Sequence, residues 1–140
     1  MSYLLDTNVI SETIKSSPNP LVIQWLSAIN AVKFSISVLT LGEIRKGIEK
    51  LQDNVRKQKI IQWLEMDLSE RFYGRIIMID ASIAEKWGYI SSKRNIPAID
   101  GLIAASALVN NLKLVTRNVK DFVDINELEI INPWEIGGIR

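Results

Sequence analysis

The feature that most constrains the fold is the alternation of short apolar runs with longer helical stretches along the 140 residues. The predicted order is strand, helices, strand, helices, strand, helices, strand, short turn, strand. Strands that alternate with helices favour a parallel sheet with helices on its faces, because each parallel neighbour is reached by a crossover connection. The sequence therefore predicts an α/β fold and a single domain over residues 1–140.

The predicted strands are all short, and the predicted helices lie between them. The run RIIMI (75–79) is continuously apolar, which is typical of a strand buried on both faces. The last long helix, DGLIAASALVNN, is apolar nearly all round and should be buried. The first predicted strand ends at Leu5, and the remaining strands are KFSIS, LKLVT and LEII. The other predicted helices are PLVIQWLSAIN, VLTLGEIRKGIEKL, 54–72 and ASIAEKWGYISSKRN. Asn19 and Ser37 are the predicted N-caps of the first two of those helices.

The chain contains no histidine and no cysteine. The absence of histidine excludes a Ser-His-Asp triad, imidazole acid–base catalysis and the usual Cys/His zinc site. The absence of cysteine excludes disulfides and fits a reducing cytoplasm. The reactive groups left to an enzyme of this composition are mainly carboxylates, Lys, Ser, Thr and Tyr. Carboxylates and water suit hard cations such as Mg²⁺ and Mn²⁺.

Three acids lie at positions where a site would form. Asp6 ends the first apolar run, Asp100 opens the buried helix, and Asp121 lies in the turn RNVKDF that follows the strand LKLVT. Ligands of open parallel sheets bind outside the carboxyl ends of the strands, so Asp6 and Asp121 should share one edge.

Each of these acids also has a purely structural interpretation. Thr7 or Asn8 could cap the helix after Asp6, which would leave that carboxylate free. Asp100 could be an N-cap, worth about 1 kcal/mol, with Gly101 leaving backbone room beside it. Asp121 has the spacing of a capping box with Asn118.

Two further acids are harder to interpret. Glu43 lies about 200° around its helix from Leu41 and its apolar stripe, so spacing alone indicates an exposed side chain. Gly47, one turn later, would make sense if a ligand approached the helix there, since a mid-helix glycine costs about 1 kcal/mol. Asp80 also follows a strand and precedes a helix, and its simplest role is to cap that helix.

Several carboxylates that converge require compensation. Two like charges 4 Å apart repel by roughly 4 kcal/mol at an effective dielectric constant of 20. Such a cluster must therefore bind a cation or take up protons. A divalent cation would polarise a phosphoryl oxygen and lower the pKa of a bound water, which is a hydrolytic mechanism without histidine.

The charge of the chain is nearly balanced, at +1 from 17 basic and 16 acidic residues, which is unlike a nonspecific duplex-DNA binder. The stretch RKGIEKLQDNVRKQK carries six basic residues and two acids, and it is either a solvated helix face or a local basic patch. No apolar block approaches the ~20 residues needed to cross a bilayer, so a soluble protein without a membrane partner is expected.

Four blocks, LLDTNVIS, SVLTLGEIRKG, IPAIDGLIAASAL and LVTRNVKDF, resemble the PIN-domain nucleases and most closely the VapC toxins of toxin–antitoxin pairs. The closing INPW also looks like a family ending. The resemblance implies a three-layer α/β/α sandwich around a parallel sheet of about five strands, and Mg²⁺- or Mn²⁺-dependent cleavage of RNA. The acidic quartet of the family maps to Asp6, Glu43, Asp100 and Asp121, with Asn8, Thr116 and Asn118 at supporting polar positions.

The resemblance also implies partners. A small antitoxin protein should block the site with a basic side chain or tail, and a homodimer is expected. Two alternatives stay open from the sequence: a housekeeping PIN nuclease of RNA processing without an antitoxin, and a phosphate-handling doubly wound domain. The second usually has another acid close to the first, whereas here Asn8 stands two residues after Asp6.

Overall fold

Five parallel strands form the sheet of the computed structural model, which describes residues 1–135. The strands are β1 (Tyr3–Leu5), β2 (Phe34–Ser37), β3 (Ile76–Ile77), β4 (Lys113–Val115) and β5 (Ile130–Ile131). Their order across the sheet is β3-β2-β1-β4-β5, and every pair of neighbours is parallel. The predicted parallel sheet is therefore confirmed, while the last residues of the predicted domain, 136–140, lie outside the described part.

The connections are mostly helical. The helices are α1 (Thr7–Thr13), α2 (Pro20–Ser27), α3 (Val38–Glu49), α4 (Asn54–Gln62), α5 (Ser69–Arg71), α6 (Ala81–Lys93) and α7 (Ala98–Val109). A π-helical segment, Trp63–Leu68, joins α4 to α5, and 3-10 turns span Ala31–Lys33 and Val119–Asp121. The helix predicted over 54–72 is thus present but changes its winding midway. No helix within residues 1–135 is long and apolar enough to cross a bilayer.

The predicted N-caps of α2 and α3 are confirmed. The side chain of Asn19 accepts a hydrogen bond from the Leu21 N–H at 2.9 Å, and Ser37 accepts one from the Leu39 N–H at 3.0 Å. These bonds satisfy N–H groups that have no partner inside their helices. The Ser37 cap lets α3 begin directly at the carboxyl end of β2.

Two hydrophobic clusters cover the two faces of the sheet. Alternate residues of β1 point to opposite faces, so Tyr3 and Leu5 belong to one cluster and Leu4 to the other. The first cluster contains side chains of α1–α4 and of the π-helical segment, and the second contains those of α6 and α7. The molecule is therefore the expected α/β/α sandwich.

The strand β3 differs from its prediction. Only Ile76–Ile77 pair with β2, both are half-buried, and Met78 is 64% exposed. The prediction of a strand buried on both faces was wrong because β3 is an edge strand with one neighbour.

The buried helix α7 packs closely against α6 at Gly101. A Cβ atom at this position would lie 2.9 Å from Cδ1 of Trp87 and 3.2 Å from its Nε1. The glycine therefore makes room for the indole and not, as the sequence suggested, for the neighbouring carboxylate.

Candidate active site

Polar groups gather where the order of the strands reverses. From β1 the chain proceeds to β2 and β3 on one side and then returns to β4 on the other. Leu5 and Val115 are paired at the ends of β1 and β4, so Asp6 and Thr116 emerge side by side. A crevice at such a reversal is where doubly wound sheets bind their ligands.

Asp6 is the most constrained acid of this edge. Its side chain is buried, and its Oδ1 accepts a hydrogen bond from the Thr7 N–H at 2.8 Å. Its Oδ2 accepts a hydrogen bond from the Thr116 hydroxyl at 2.8 Å, across 110 residues of chain. The carboxylate is thus held in one orientation by two elements of the fold.

Burial raises the pKa of Asp6 from 3.8 to about 6, because desolvation disfavours the charged form. The hydrogen bonds from Thr116 and Thr7 act in the opposite direction. The negative charges of Glu43 and Asp100 raise the pKa further. Three of the four predicted acids therefore lie close enough to act on one another.

Glu43 is attached to α1 through a hydroxyl group. The Thr7 hydroxyl donates to Glu43 Oε1 at 2.6 Å and lies 3.0 Å from the hydroxyl oxygen of buried Thr40. Glu43 is half-buried, so its predicted full exposure was wrong. The apolar stripe of α3 could not reveal the partial burial of Glu43. The face of α3 opposite that stripe makes a polar contact with α1, and this contact buries the carboxylate. Gly47 has open space around it, with no atom within 4 Å of an added Cβ.

Asp100 lies half-buried in the first turn of α7. Its pKa is raised, first by desolvation and then by the charges of Asp121 and Glu43. Asp121 is exposed at the end of the 3-10 turn Val119–Asp121. Its charge acts on Asp100 but is not among those acting on Asp6, so it occupies the outer rim of the cluster.

The three predicted supporting residues form one hydrogen-bonded group around Thr116. Asn8 Nδ2 donates to Thr116 Oγ1 at 3.2 Å, and the Asn118 N–H donates to the same oxygen at 3.1 Å. Asn8 Oδ1 accepts from the Arg117 N–H at 3.3 Å. The turn after β4 is therefore fastened to α1, and Thr116 is oriented to donate to Asp6.

The structure contradicts the capping interpretations of Asp6, Asp100 and Asp121. Asp6 itself is the N-cap of α1, so the suggestion that Thr7 or Asn8 caps it was wrong. Asp100 is not an N-cap, since α7 begins two residues earlier at Ala98, after Pro97. Asn118 makes no side-chain capping hydrogen bond, so a capping box with Asp121 is absent.

The donor set consists of hard oxygen ligands, which fits Mg²⁺ or Mn²⁺ by chemistry. Within residues 1–135, however, no three acidic side chains are arranged to hold a metal ion as they stand. The pKa values of Asp6 and Asp100 are raised first by desolvation and further by neighbouring negative charges. A divalent cation bound here would offset both effects.

Sequence reasoning missed two residues of this region. Thr40 is fully buried and its hydroxyl contacts that of Thr7. The signal for it in the sequence is its position one helical turn before Glu43. Glu12 is buried although charged; its carboxylate accepts hydrogen bonds from Lys15 Nζ and the Asn19 N–H, both at 2.8 Å. The Lys15 hydrogen bond is the main reason why the pKa of Glu12 is lowered.

The basic stretch is partly neutralised. Arg45 forms ion pairs with Glu49 at 3.5 Å and Glu65 at 2.7 Å, and Lys57 pairs with Glu49 at 3.4 Å. These contacts support the solvated-face interpretation for part of the stretch. Its remaining basic side chains form no ion pair with another residue of the described part, 1–135; they are Lys46, Lys50, Arg56 and Lys59.

Comparisons with known proteins identify close relatives. The family described as PIN domain matches residues 3–128. The chain is 34% identical to Toxin FitB of Neisseria gonorrhoeae, over 94% of this chain and 97% of that protein. It is 31% identical to VapC ribonuclease Y4jK of Sinorhizobium fredii, over 94% and 97% of the two chains.

Solved structures agree with the sequence relatives. The structure of FitAcB from Neisseria gonorrhoeae superposes with a TM-score of 0.88 at 33% identity, covering 95% of this chain and 99% of that chain. A toxin–antitoxin complex from Klebsiella pneumoniae gives 0.72 at 28% identity, covering 96% and 99%.

Proposed function

This chain belongs to the PIN-domain family and, within it, to the VapC-type ribonuclease toxins, and we propose that its clustered carboxylates use Mg²⁺ or Mn²⁺ to hydrolyse RNA phosphodiester bonds. The observation that carries this proposal is the mutual electrostatic effect of Asp6, Glu43 and Asp100 at the strand-order reversal. The absence of histidine excludes imidazole catalysis and leaves a carboxylate-bound metal as the proposed mechanism.

The residues divide the work by their environment. Asp6 and Asp100 are the proposed direct ligands, since both have raised pKa values that a cation would reverse. Glu43 completes the cluster, directly or through water, with one oxygen fixed by Thr7. We propose that Asp121, at the exposed rim, likewise completes the metal cluster, directly or through water, and orients the attacking water. A bound cation supplies Lewis-acid stabilisation of the developing charge on the phosphate.

The direct test is cleavage of RNA by the purified protein with Mg²⁺ or Mn²⁺, with and without chelator. Asp6→Asn keeps the size of the side chain and removes its charge. We expect cleavage that requires the metal and is lost in this variant. Chelator-insensitive cleavage, or full activity of Asp6→Asn, would refute the mechanism.

An antitoxin partner is supported by the likeness to toxin–antitoxin complexes. An apolar groove of about 260 Å³ lies on the face of the sheet that the first hydrophobic cluster covers, and Leu5 lines it. Leu26 and Phe72 also line it, and Arg71 and Arg75 stand at its polar part. We propose that this groove binds an apolar, partly acidic segment of the antitoxin, while a separate basic side chain or tail of the antitoxin blocks the carboxylates.

Co-expression with the adjacent small reading frame tests this partner. We expect a copurifying complex that Leu26→Glu disrupts by placing a charge in the groove. The matched control is Leu21→Glu, because Leu21 lies on the same helix but is exposed. If the complex still copurifies with Leu26→Glu, the groove is excluded as the binding site of the antitoxin. If no complex forms while RNA is still cleaved, the chain is a PIN nuclease without an antitoxin.

We further propose that the protein is a homodimer located in the cytoplasm. Light scattering of the purified chain, alone and with the antitoxin, tests the oligomeric state. A monomer at all concentrations would contradict it and leave the nuclease proposal unchanged.

A further inference from the structure

Arg117 stands inside the group of residues that holds the site together, yet no site role accounts for it. It lies between Thr116 and Asn118 in the exposed turn after β4. Its N–H donates to Asn8 Oδ1 at 3.3 Å, so the backbone of this residue is fixed beside α1.

The guanidinium group of Arg117 lies over the ring of Trp134, with 5.2 Å between Cζ and the ring centroid. Trp134 is itself anchored: its backbone N–H donates to Asn132 Oδ1 at 3.0 Å, and its ring packs on the cluster that contains Leu5. A guanidinium held by its face against an aromatic ring keeps its N–H edge available for an anion.

The acid on which the charge of Arg117 acts, Glu12, already has other partners. The oxygens of Glu12 accept hydrogen bonds from Lys15 and from the Asn19 N–H, as described above. The charge of Arg117 contributes only the weakest of the effects that lower the pKa of Glu12. Within residues 1–135 the guanidinium of Arg117 forms no ion pair and no hydrogen bond, which leaves a positioned cation beside an acidic site.

The location of the Arg117 guanidinium determines which anion it can bind. The backbone of Arg117 contacts Asn8, whereas its charge is felt by Glu12, one turn further along α1. One turn is about 5.4 Å, and it leads away from Asp6. The guanidinium therefore lies next to the carboxylate cluster and not within it, where it can bind a phosphate other than the one at the cluster.

We infer that Arg117, stacked on Trp134, binds the RNA phosphate next to the one that is cleaved. This inference rests on the proposed function and assigns a substrate-binding group to the same edge. Arginine suits the role because its planar donors match phosphate oxygens in pairs. It also explains how a cluster of carboxylates retains a polyanion: one neighbouring phosphate is neutralised by the protein itself.

The test measures binding separately from cleavage. A short fluorescent single-stranded RNA of mixed sequence is titrated with Asp6→Asn protein in Mg²⁺ at several salt concentrations, and anisotropy is recorded. Adding Arg117→Ala should weaken binding about tenfold and reduce the slope of log affinity against log salt by about 0.7, one phosphate contact on a single strand. The matched control, Lys33→Ala, removes one exposed positive charge at the amino end of β2, the opposite edge, and should leave both values unchanged.

The role of stacking has its own variants. Trp134→Leu should weaken binding less than Arg117→Ala, and Trp134→Phe, which keeps an aromatic face, should restore most of it. In the catalytically intact protein Arg117→Ala should raise KM and leave kcat within about twofold, since the contact is made before and during cleavage alike. Thermal melting of each variant checks that it is folded.

Unchanged affinity and salt slope in folded Arg117→Ala would overturn the inference. Loss of antitoxin copurification with unchanged RNA binding would also overturn it and assign Arg117 to the protein interface. If the parent protein neither binds nor cleaves RNA, the proposed function itself fails, which is a distinguishable result.

Discussion

Asp6 and Asp80 occupy the same place in two strand-to-helix turns, but they differ in burial and in hydrogen-bond partners. Asp80 is exposed, and its Oδ1 accepts from the Ile83 N–H at 2.9 Å, which caps α6 as the sequence predicted. Asp6 is buried and caps α1, but its second oxygen turns across the sheet to Thr116. The same local chemistry is an ordinary cap at one turn and the centre of a polar cluster at the other.

The position of each strand in the sheet explains the difference. β1 lies in the middle, with β2 and β4 on its two sides, so loops from both neighbours bring polar groups to Asp6. β3 lies at the edge beside β2 alone, and its turn opens to solvent. A site requires several chain segments to meet, and at the carboxyl end of β1, where the strand order reverses, they do.

The sharpest contrast should appear in metal affinity. Asp6→Asn should weaken binding of Mn²⁺ by at least about 100-fold, since it removes a direct charged ligand. Asp80→Asn changes the same atoms at the other turn and should leave the affinity unchanged. Titration calorimetry with Mn²⁺ measures both, and equal effects of the two substitutions would erase the distinction.

The second largest effect is expected for the hydroxyl groups around Asp6, which orient the site. Thr7→Val removes the hydroxyl that fixes Glu43 and should lower cleavage about 10- to 100-fold, the usual cost of losing a group that orients a ligand. Thr13→Val makes the same change in α1, where the hydroxyl only donates to the Ile10 carbonyl. Steady-state rates should therefore separate the two valine variants, and similar rates would show that the Thr7 contact is unimportant.

The pH dependence of stability should also follow Asp6. Its pKa is raised in the folded state, so the folded protein binds the proton more tightly than the unfolded chain. Without metal, the free energy of unfolding should fall by on the order of 2 kcal/mol as pH rises from about 4 through about 6. The raised pKa of Asp100 adds to the same trend.

Urea melts across this pH range, with and without Mg²⁺, measure the effect. Asp6→Asn should flatten the dependence, Asp80→Asn should not, and Mg²⁺ should restore stability at neutral pH. A metal-free protein that becomes more stable with rising pH would contradict the assigned direction.

The smallest expected effect is at Asp80. Asp80→Ala removes the cap of α6 and should cost about 1 kcal/mol of stability, with RNA cleavage unchanged. Chemical denaturation and a cleavage assay on the same preparation provide both readings. A loss of activity greater than the loss of folded protein would give Asp80 a part in the site.

The sequence predicted the order of elements and the α/β class, because periodicity and turn residues act locally. Family resemblance then selected Asp6, Glu43, Asp100 and Asp121, and the structure brings them to one edge. Their roles as ligands stay a prediction. Local reasoning could not rank Asp6 above Asp80, because strand order across the sheet is decided by long-range pairing.

Three errors have the same origin. Glu43 is half-buried because α1 supplies Thr7 to it, Gly101 is needed by Trp87, and β3 is an edge strand. Each depends on a neighbour distant in sequence. The π-helical segment Trp63–Leu68 likewise has no clear signal in the local pattern of apolar residues.

The contact between Trp87 and Gly101 has an optical consequence. Asp100 precedes the glycine against which the indole lies, so a shift in the first turn of α7 must disturb the surroundings of that fluorophore. The protein thus carries its own emission probe one residue from a proposed ligand. Loading of the carboxylate cluster should be visible as a change in tryptophan fluorescence, without any label.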